Sequence, residues 1–89
     1  MAVVKRIVLD VLKPHNPNVL EFARRIADED PGSHVQVRVT EMDEKTETLV
    51  VVIEGAEIDI DRVEAALKSM GASLHSIDEV EVIHERGVG

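Results

Sequence analysis

The chain has 89 residues, room for one compact domain, and its 44% hydrophobic and 31% charged residues are typical of a globular protein. It contains no cysteine, which excludes disulfides, thiolate nucleophiles, iron–sulfur clusters and Cys-ligated zinc. The net charge of -8 disfavours nonspecific binding to nucleic acid or anionic lipid, and leaves metal cations or basic proteins as candidate partners. We therefore expect a single domain over residues 1–89.

Nothing in the sequence indicates export or membrane insertion. The N-terminal segment lacks an apolar core followed by a small-residue cleavage site. Apolar runs also stay well short of the roughly 20 residues that a membrane span requires. We expect a cytoplasmic protein that does not contact the membrane.

The first half of the chain predicts a strand, a helix and a second strand. An apolar run over residues 3–12 predicts the first strand, and two prolines follow it. Asn16 is expected to cap a helix whose first residue is Pro17, because apolar residues then recur at helical spacing. The segment His34–Met42 alternates apolar and polar residues, which is typical of a strand with one exposed face.

The second half predicts a strand, a helix and a last strand. An unbroken apolar run in Thr46–Glu54 is typical of a central strand. Asp59 is placed to cap a second helix, and Gly71 lies where a left-handed C-terminal residue is needed. The last strand is predicted over about residues 73–83, before a charged, glycine-rich tail at 85–89.

This order of elements predicts a ferredoxin-like α+β fold, βαββαβ, with a four-stranded antiparallel sheet and both helices on one face. The first and third strands are central in that topology. Val8 and Leu12 should then point away from the helices, with one set of alternate residues from the third strand. Because an uncovered apolar patch usually marks an interface, we expect a homo-oligomer. The alternative is a monomer that tolerates a few exposed valines.

Asp10 interrupts the apolar run of the first strand, where an ionised carboxylate needs a cation nearby. The fourth strand, antiparallel to the first, carries His75, Asp78 and Glu79. Carboxylates from the two strands would suit calcium or magnesium, whereas His75 would shift the preference toward zinc, manganese or nickel. Asp10, His75, Asp78 and Glu79 are therefore candidate metal ligands.

Two alternatives stay open for these positions. In the alternative to a metal site, Asp10 pairs with Arg6, Arg38 or a basic residue of another subunit, and the acidic fourth strand is a solvated edge that blocks aggregation.

His15 is a separate candidate, because it lies at a strand-to-helix turn close to a helix N-terminus, where ligands often bind. A histidine at such a turn is also commonly an ordinary exposed residue.

Other chemistries find no support in the sequence. It has no glycine-rich phosphate loop and no H-E-x-x-H pair, and the residues after Asp59 do not continue as an EF-hand loop. RNA-binding domains of this topology stack bases on aromatic residues of the sheet, whereas Phe22, on the first helix, is the one aromatic residue here. Nucleic-acid binding is therefore not expected.

Two segments, IVLDVLKPH at 7–15 and HSIDEV at 75–80, resemble the characteristic segments of a small archaeal family, domain of unknown function 211. The strand TETLVVVIEG at 46–55 lies between them and is also similar. The resemblance implies a ferredoxin-like fold, homo-oligomers that assemble in rings, no enzymatic activity, and binding of a divalent cation such as calcium. The positions that match and could bind the cation are Asp10, His15, His75, Asp78 and Glu79.

The leading hypothesis is a noncatalytic, homo-oligomeric domain that binds a divalent cation, with calcium favoured. The alternative is a small-molecule-binding regulatory module with ligand sites between subunits at the first strand-to-helix turn, which rests on fold analogy. An enzyme is the least favoured hypothesis. It would use His15 or His75 as general acid or base, with Asp10 or Asp78 orienting the imidazole.

Overall fold

The computed structural model describes residues 1–86, so the last three residues of the predicted tail lie outside the described part. The strands form one antiparallel sheet in the order β2-β3-β1-β4. This confirms the ferredoxin-like α+β fold with its first and third strands at the centre. The elements are β1 (Ala2–Pro14), α1 (Val19–Glu29), β2 (His34–Met42), β3 (Thr46–Glu54), α2 (Ile60–Ser69) and β4 (Ser73–His84).

The second helix begins and ends as the sequence predicts. The Asp59 side chain accepts hydrogen bonds from the backbone N–H groups of Asp61 and Arg62, which satisfies two of the free donors of the first turn. Gly71 has a φ of 73° and donates its N–H to the Lys68 carbonyl at 3.0 Å. Within residues 1–86, neither helix combines the length and the apolar character needed to cross a membrane.

The first helix begins later than predicted. Its N-cap is Asn18, whose side chain accepts a hydrogen bond at 2.9 Å from a backbone N–H of the first turn. The prediction of Asn16 as the cap and Pro17 as the first helical residue was therefore wrong. The cause is a tertiary contact, because the Lys13 ammonium donates to the Pro17 carbonyl at 2.6 Å and holds this residue in the connecting loop.

The hydrophobic core lies between the sheet and the two helices. Alternate residues of β1 and β3 point toward the helices, as the period of two in a strand requires. Their side chains pack against the apolar faces of α1 and α2. The buried residues that form this layer include Ile7, Leu9, Val11, Phe22, Ile26, Leu49, Val51, Ile53, Val63 and Leu67.

The other face of the sheet, which we call the open face, is covered by neither α1 nor α2. Its central residues include Val8, Val50 and Val52, which are half-buried, and Leu12, which is 41% exposed. Val8 and Leu12 were predicted for this face, and the structure decides that Val50 and Val52 are the alternate residues of β3 that join them. An apolar surface is thus left at the centre of the sheet, and its burial against another copy stays a prediction.

Candidate functional site

Asp10 lies on the open face, in the central strand β1. It stands opposite Val50 of β3 and Ser76 of β4. The register of β4 shifts at this point, and His75 is the extra residue between the partners of Asp10 and Val11. The shift places His75 next to the strand position that faces Asp10. Together they border a shallow depression of about 250 Å³, lined by Asp10, Val11, Leu12, Thr48 and His75.

The other two predicted metal ligands have partners of their own. Asp78 accepts a hydrogen bond from the Ser76 hydroxyl at 2.6 Å, and Glu79 forms an ion pair with Arg6. Among residues 1–86, no three His, Asp or Glu side chains are grouped closely enough to hold a metal ion. One copy of the chain therefore brings together two of the four predicted ligands, and the metal assignment stays a prediction.

The ion pairs proposed as alternatives for Asp10 do not form within the described chain. Arg6 Nε lies 3.4 Å from Glu54 Oε1, and the Arg6 guanidinium also pairs with Glu79. Arg38 lies in the same cross-strand row as Asp10, but the central strand β3 separates the two residues. No basic side chain of residues 1–86 reaches the Asp10 carboxylate. Its charge is left among apolar neighbours and is partly shielded from water.

A second polar cluster lies where β1 ends and β3 begins, on the helix side of the sheet. Lys13 is fully buried, and its Nζ lies 2.9 Å from Glu47 Oε1, an oxygen that is itself nearly inaccessible to solvent. The ammonium also donates to the carbonyls of Pro14, at 2.8 Å, and Pro17, at 2.6 Å. The Phe22 ring centre lies 5.9 Å from Nζ. Lys13 thus ties the β1–α1 loop to β3.

His15 completes this cluster and connects it to the β2–β3 turn. Its Nδ1 lies 2.9 Å from Glu47 Oε2, and its Nε2 lies 2.9 Å and 3.1 Å from the carbonyls of Asp43 and Glu44. All three neighbours are acceptors, so both ring nitrogens donate and the cluster favours the imidazolium. The hydrogen bond to Glu47 raises the pKa of His15, and the same bond, followed by that from Lys13, lowers the pKa of Glu47.

This arrangement bears on two of the hypotheses. With both nitrogens donating to protein oxygens, His15 has no free lone pair for a metal, so we leave it out of the proposed cation site below. The Lys13 ammonium likewise donates to the carbonyls of Pro14, His15 and Pro17, at the turn where the regulatory-module hypothesis places its ligand. The polar groups of this turn are largely satisfied from within the chain.

The sequence predictions missed Lys13 and Glu47, although a signal for both was present. Lys13 continues the alternation that puts Val11 toward the helices, and Glu47 continues the one that puts Leu49 there. Two opposite charges on the buried side of adjacent strands are expected to pair. Extending the alternation to the strand ends would have predicted the ion pair.

Comparison with known proteins shows which family this chain is related to. Residues 5–86 match the DUF211 family, described as uncharacterized ArCR. The chain belongs to this family. Uncharacterized protein MJ0319 of Methanocaldococcus jannaschii is similar to this chain, with 40% identity over 77 residues, which are 86% of this chain and 79% of that protein. Membership confirms the resemblance predicted from residues 7–15 and 75–80.

Proposed function

We propose that this DUF211 protein is a noncatalytic domain that assembles with copies of itself through the open face and binds a divalent cation there. Asp10 and His75 of each copy are the ligands in this proposal. The observation that carries it is the carboxylate of Asp10, which lies in an apolar surface and has no ion pair within residues 1–86.

The apolar character of the open face supports self-assembly. Val8, Val50 and Val52 lie at its centre beside Leu12. Removing such a surface from water stabilises an interface by about 25 cal/mol per Å² of apolar area. A second copy of the same sheet offers a matching apolar surface, so the face is self-complementary in character.

Covering the open face would change the environment of Asp10. The carboxylate would lose its remaining water and would need a compensating positive charge. The nearby His75 imidazole is a metal ligand, and two copies meeting here would supply two carboxylates and two imidazoles. The family resemblance favours calcium, while the imidazoles would suit manganese or zinc. In either case, cation binding and assembly are coupled.

The assembly part is tested by placing a charge on the open face. Leu12→Lys is compared with Leu20→Lys, a matched substitution of an exposed leucine on α1. By sedimentation velocity at micromolar concentration, we expect an oligomer for the natural chain and for Leu20→Lys. Leu12→Lys should sediment as a smaller species. A monomeric natural chain, or an unchanged oligomer of Leu12→Lys, would contradict the proposal.

The cation part is tested by calorimetric titration with calcium, manganese and zinc. The natural chain is compared with Asp10→Asn and with Glu64→Gln, which removes an exposed carboxylate from α2. We expect one of the three ions to bind the natural chain and Glu64→Gln, and to bind Asp10→Asn at least about tenfold more weakly. Equal affinity for the natural chain and Asp10→Asn would exclude this carboxylate as a ligand.

A further inference from the structure

A separate cavity lies at the C-terminal end of α1, where the chain turns into β2 beside the connection from β3 to α2. Its volume is about 250 Å³. It shares no residue with the depression at Asp10 and none with the Lys13 cluster. Its lining residues are Asp30, Pro31, Gly32, Ser33, Gly55, Ala56 and Glu57.

Two side-chain oxygens of this cavity region are buried without a hydrogen-bond partner in residues 1–86. One is Oδ2 of Asp30, a residue that is 9% exposed, and the other is the hydroxyl oxygen of Ser33. An unsatisfied buried polar group destabilises a fold, and a charged one does so more strongly. Because both residues line the cavity, a hydrogen-bond donor held there is a candidate partner for each oxygen.

The charge around the cavity is also uncompensated. The helix α1 ends in Asp28 and Glu29 and has no basic residue in its last turn, so acidic groups lie at the negative end of its dipole. The helix α2, by contrast, carries Lys68 in its last turn. The field at the end of α1 therefore favours a positive ligand.

Basic side chains of the described chain do not supply this charge. The lining residues include a second carboxylate, Glu57, and no lysine or arginine. Lys5 reaches the same region, but its ammonium donates to the Ala56 carbonyl at 2.6 Å and pairs with Glu85 at 2.5 Å. The Asp30 carboxylate is left for a ligand.

We propose that this cavity binds a primary ammonium group, which donates one N–H to Asp30 and another to Ser33. A carboxylate and a hydroxyl are suitable acceptors for an ammonium ion. A metal held by the protein is less suitable, because residues 1–86 offer no group of three His, Asp or Glu side chains. The ammonium belongs either to a small free amine or to a lysine side chain of another protein.

Amide chemical shifts of the ¹⁵N-labelled full chain test the proposal. Ethylammonium chloride should shift the amide signals of residues 30–33 and 55–57 in a saturable way. Tetramethylammonium chloride, which carries the same charge and has no N–H, should not. Nα-acetyl-lysine N-methylamide distinguishes the sources: binding at least as tight as that of ethylammonium assigns the site to lysine side chains, and weaker binding assigns it to small amines.

Variants separate the site from a general effect of charge. Asp30→Asn should weaken ethylammonium binding roughly 10- to 100-fold, Ser33→Ala should weaken it several-fold, and Glu64→Gln should not change it. Without amine, Asp30→Asn should raise the unfolding midpoint, because it removes an unpaired charge from the negative end of α1. This expected gain in stability keeps a loss of binding from being confused with misfolding.

Several outcomes would overturn the proposal. Equal amide shifts from ethylammonium and tetramethylammonium, or unchanged ethylammonium binding by Asp30→Asn, would do so. Saturable shifts of the same amides by potassium or calcium in place of the amine would do so as well. A lower unfolding midpoint for Asp30→Asn than for the natural chain is the fourth such result. An ordered water that bridges Asp30 and Ser33 and is not displaced by ethylammonium would also overturn it. None of these results depends on the cation site at Asp10.

Discussion

The buried ion pair between Lys13 and Glu47 makes the stability of the fold sensitive to replacement of the Glu47 carboxylate by an amide. Glu47→Gln keeps the shape of the side chain and removes its charge. The carboxylate contacts the Lys13 ammonium with one oxygen and the His15 imidazolium with the other. Glutamine has one acceptor oxygen, so its NH₂ group must face one of these two donors.

The burial of Lys13 sets the size of the expected effect. Its side chain is 0% exposed, so after the substitution its charge is held by carbonyl groups alone. Removing one partner of a buried pair costs about 3–5 kcal/mol. That is a large part of the about 5–15 kcal/mol that stabilises a typical domain. We expect a fall in melting temperature of about 10 °C or more.

Denaturant unfolding at one fixed protein concentration measures this loss, since assembly would otherwise shift the midpoint. Glu54→Gln is the matched control, because Glu54 lies near Arg6 at an exposed position and its loss should cost about 0–1 kcal/mol. Adding Lys13→Met to Glu47→Gln should recover part of the loss, because it removes the stranded charge. A loss from Glu47→Gln no larger than that of the control would refute the reasoning.

The remaining predictions concern pH, the core and a helix end. Because the folded pKa of His15 lies above its usual 6.5, its stabilisation is complete below that pH and is lost as the pH rises through the folded value. Unfolding midpoints should show that the advantage of the natural chain over His15→Gln shrinks as the pH rises above about 6.5 and through the raised pKa of His15. Phe22→Ala should cost about 3–5 kcal/mol in denaturant unfolding, since the ring is fully buried. Gly71→Ala should cost about 1–2 kcal/mol in the same assay, because its φ of 73° is left-handed and its new methyl group would meet Pro14 at an ordinary 3.6 Å.

The sheet could be predicted from the sequence because its signals are local and periodic. The strands β2 and β3 have the predicted bounds, His34–Met42 and Thr46–Glu54. Alternation in β1 also predicted which side chains face the helices. The cap at Asp59 and the left-handed Gly71 follow from residue types that suit few other positions.

The start of α1 could not be predicted in the same way. Asn16 and Asn18 are equally suitable caps by residue type, and a proline follows the first of them. The choice depends on Lys13, whose ammonium holds the Pro17 carbonyl outside the helix. A contact between a strand and a loop is not visible in helix capping patterns.

The candidate sites were likewise predicted in part, where the prediction depends on strand order and not on register or packing. The sequence predicted that Asp10 and His75 approach each other, because an antiparallel partner of β1 had to carry the imidazole past the carboxylate. It did not show that Asp78 and Glu79 would be engaged elsewhere, since this depends on the register shifts in β4. The unsatisfied Asp30 is likewise a property of the packed fold.

Native mass spectrometry of the purified full chain, with and without a chelator, tests the central claim most directly. It reads the number of subunits and the mass of any bound metal in one experiment. The proposed function predicts an oligomer that carries divalent cation in a fixed ratio to its subunits and loses cation, assembly or both with the chelator. A metal-free monomer at micromolar concentration would contradict both parts of the claim.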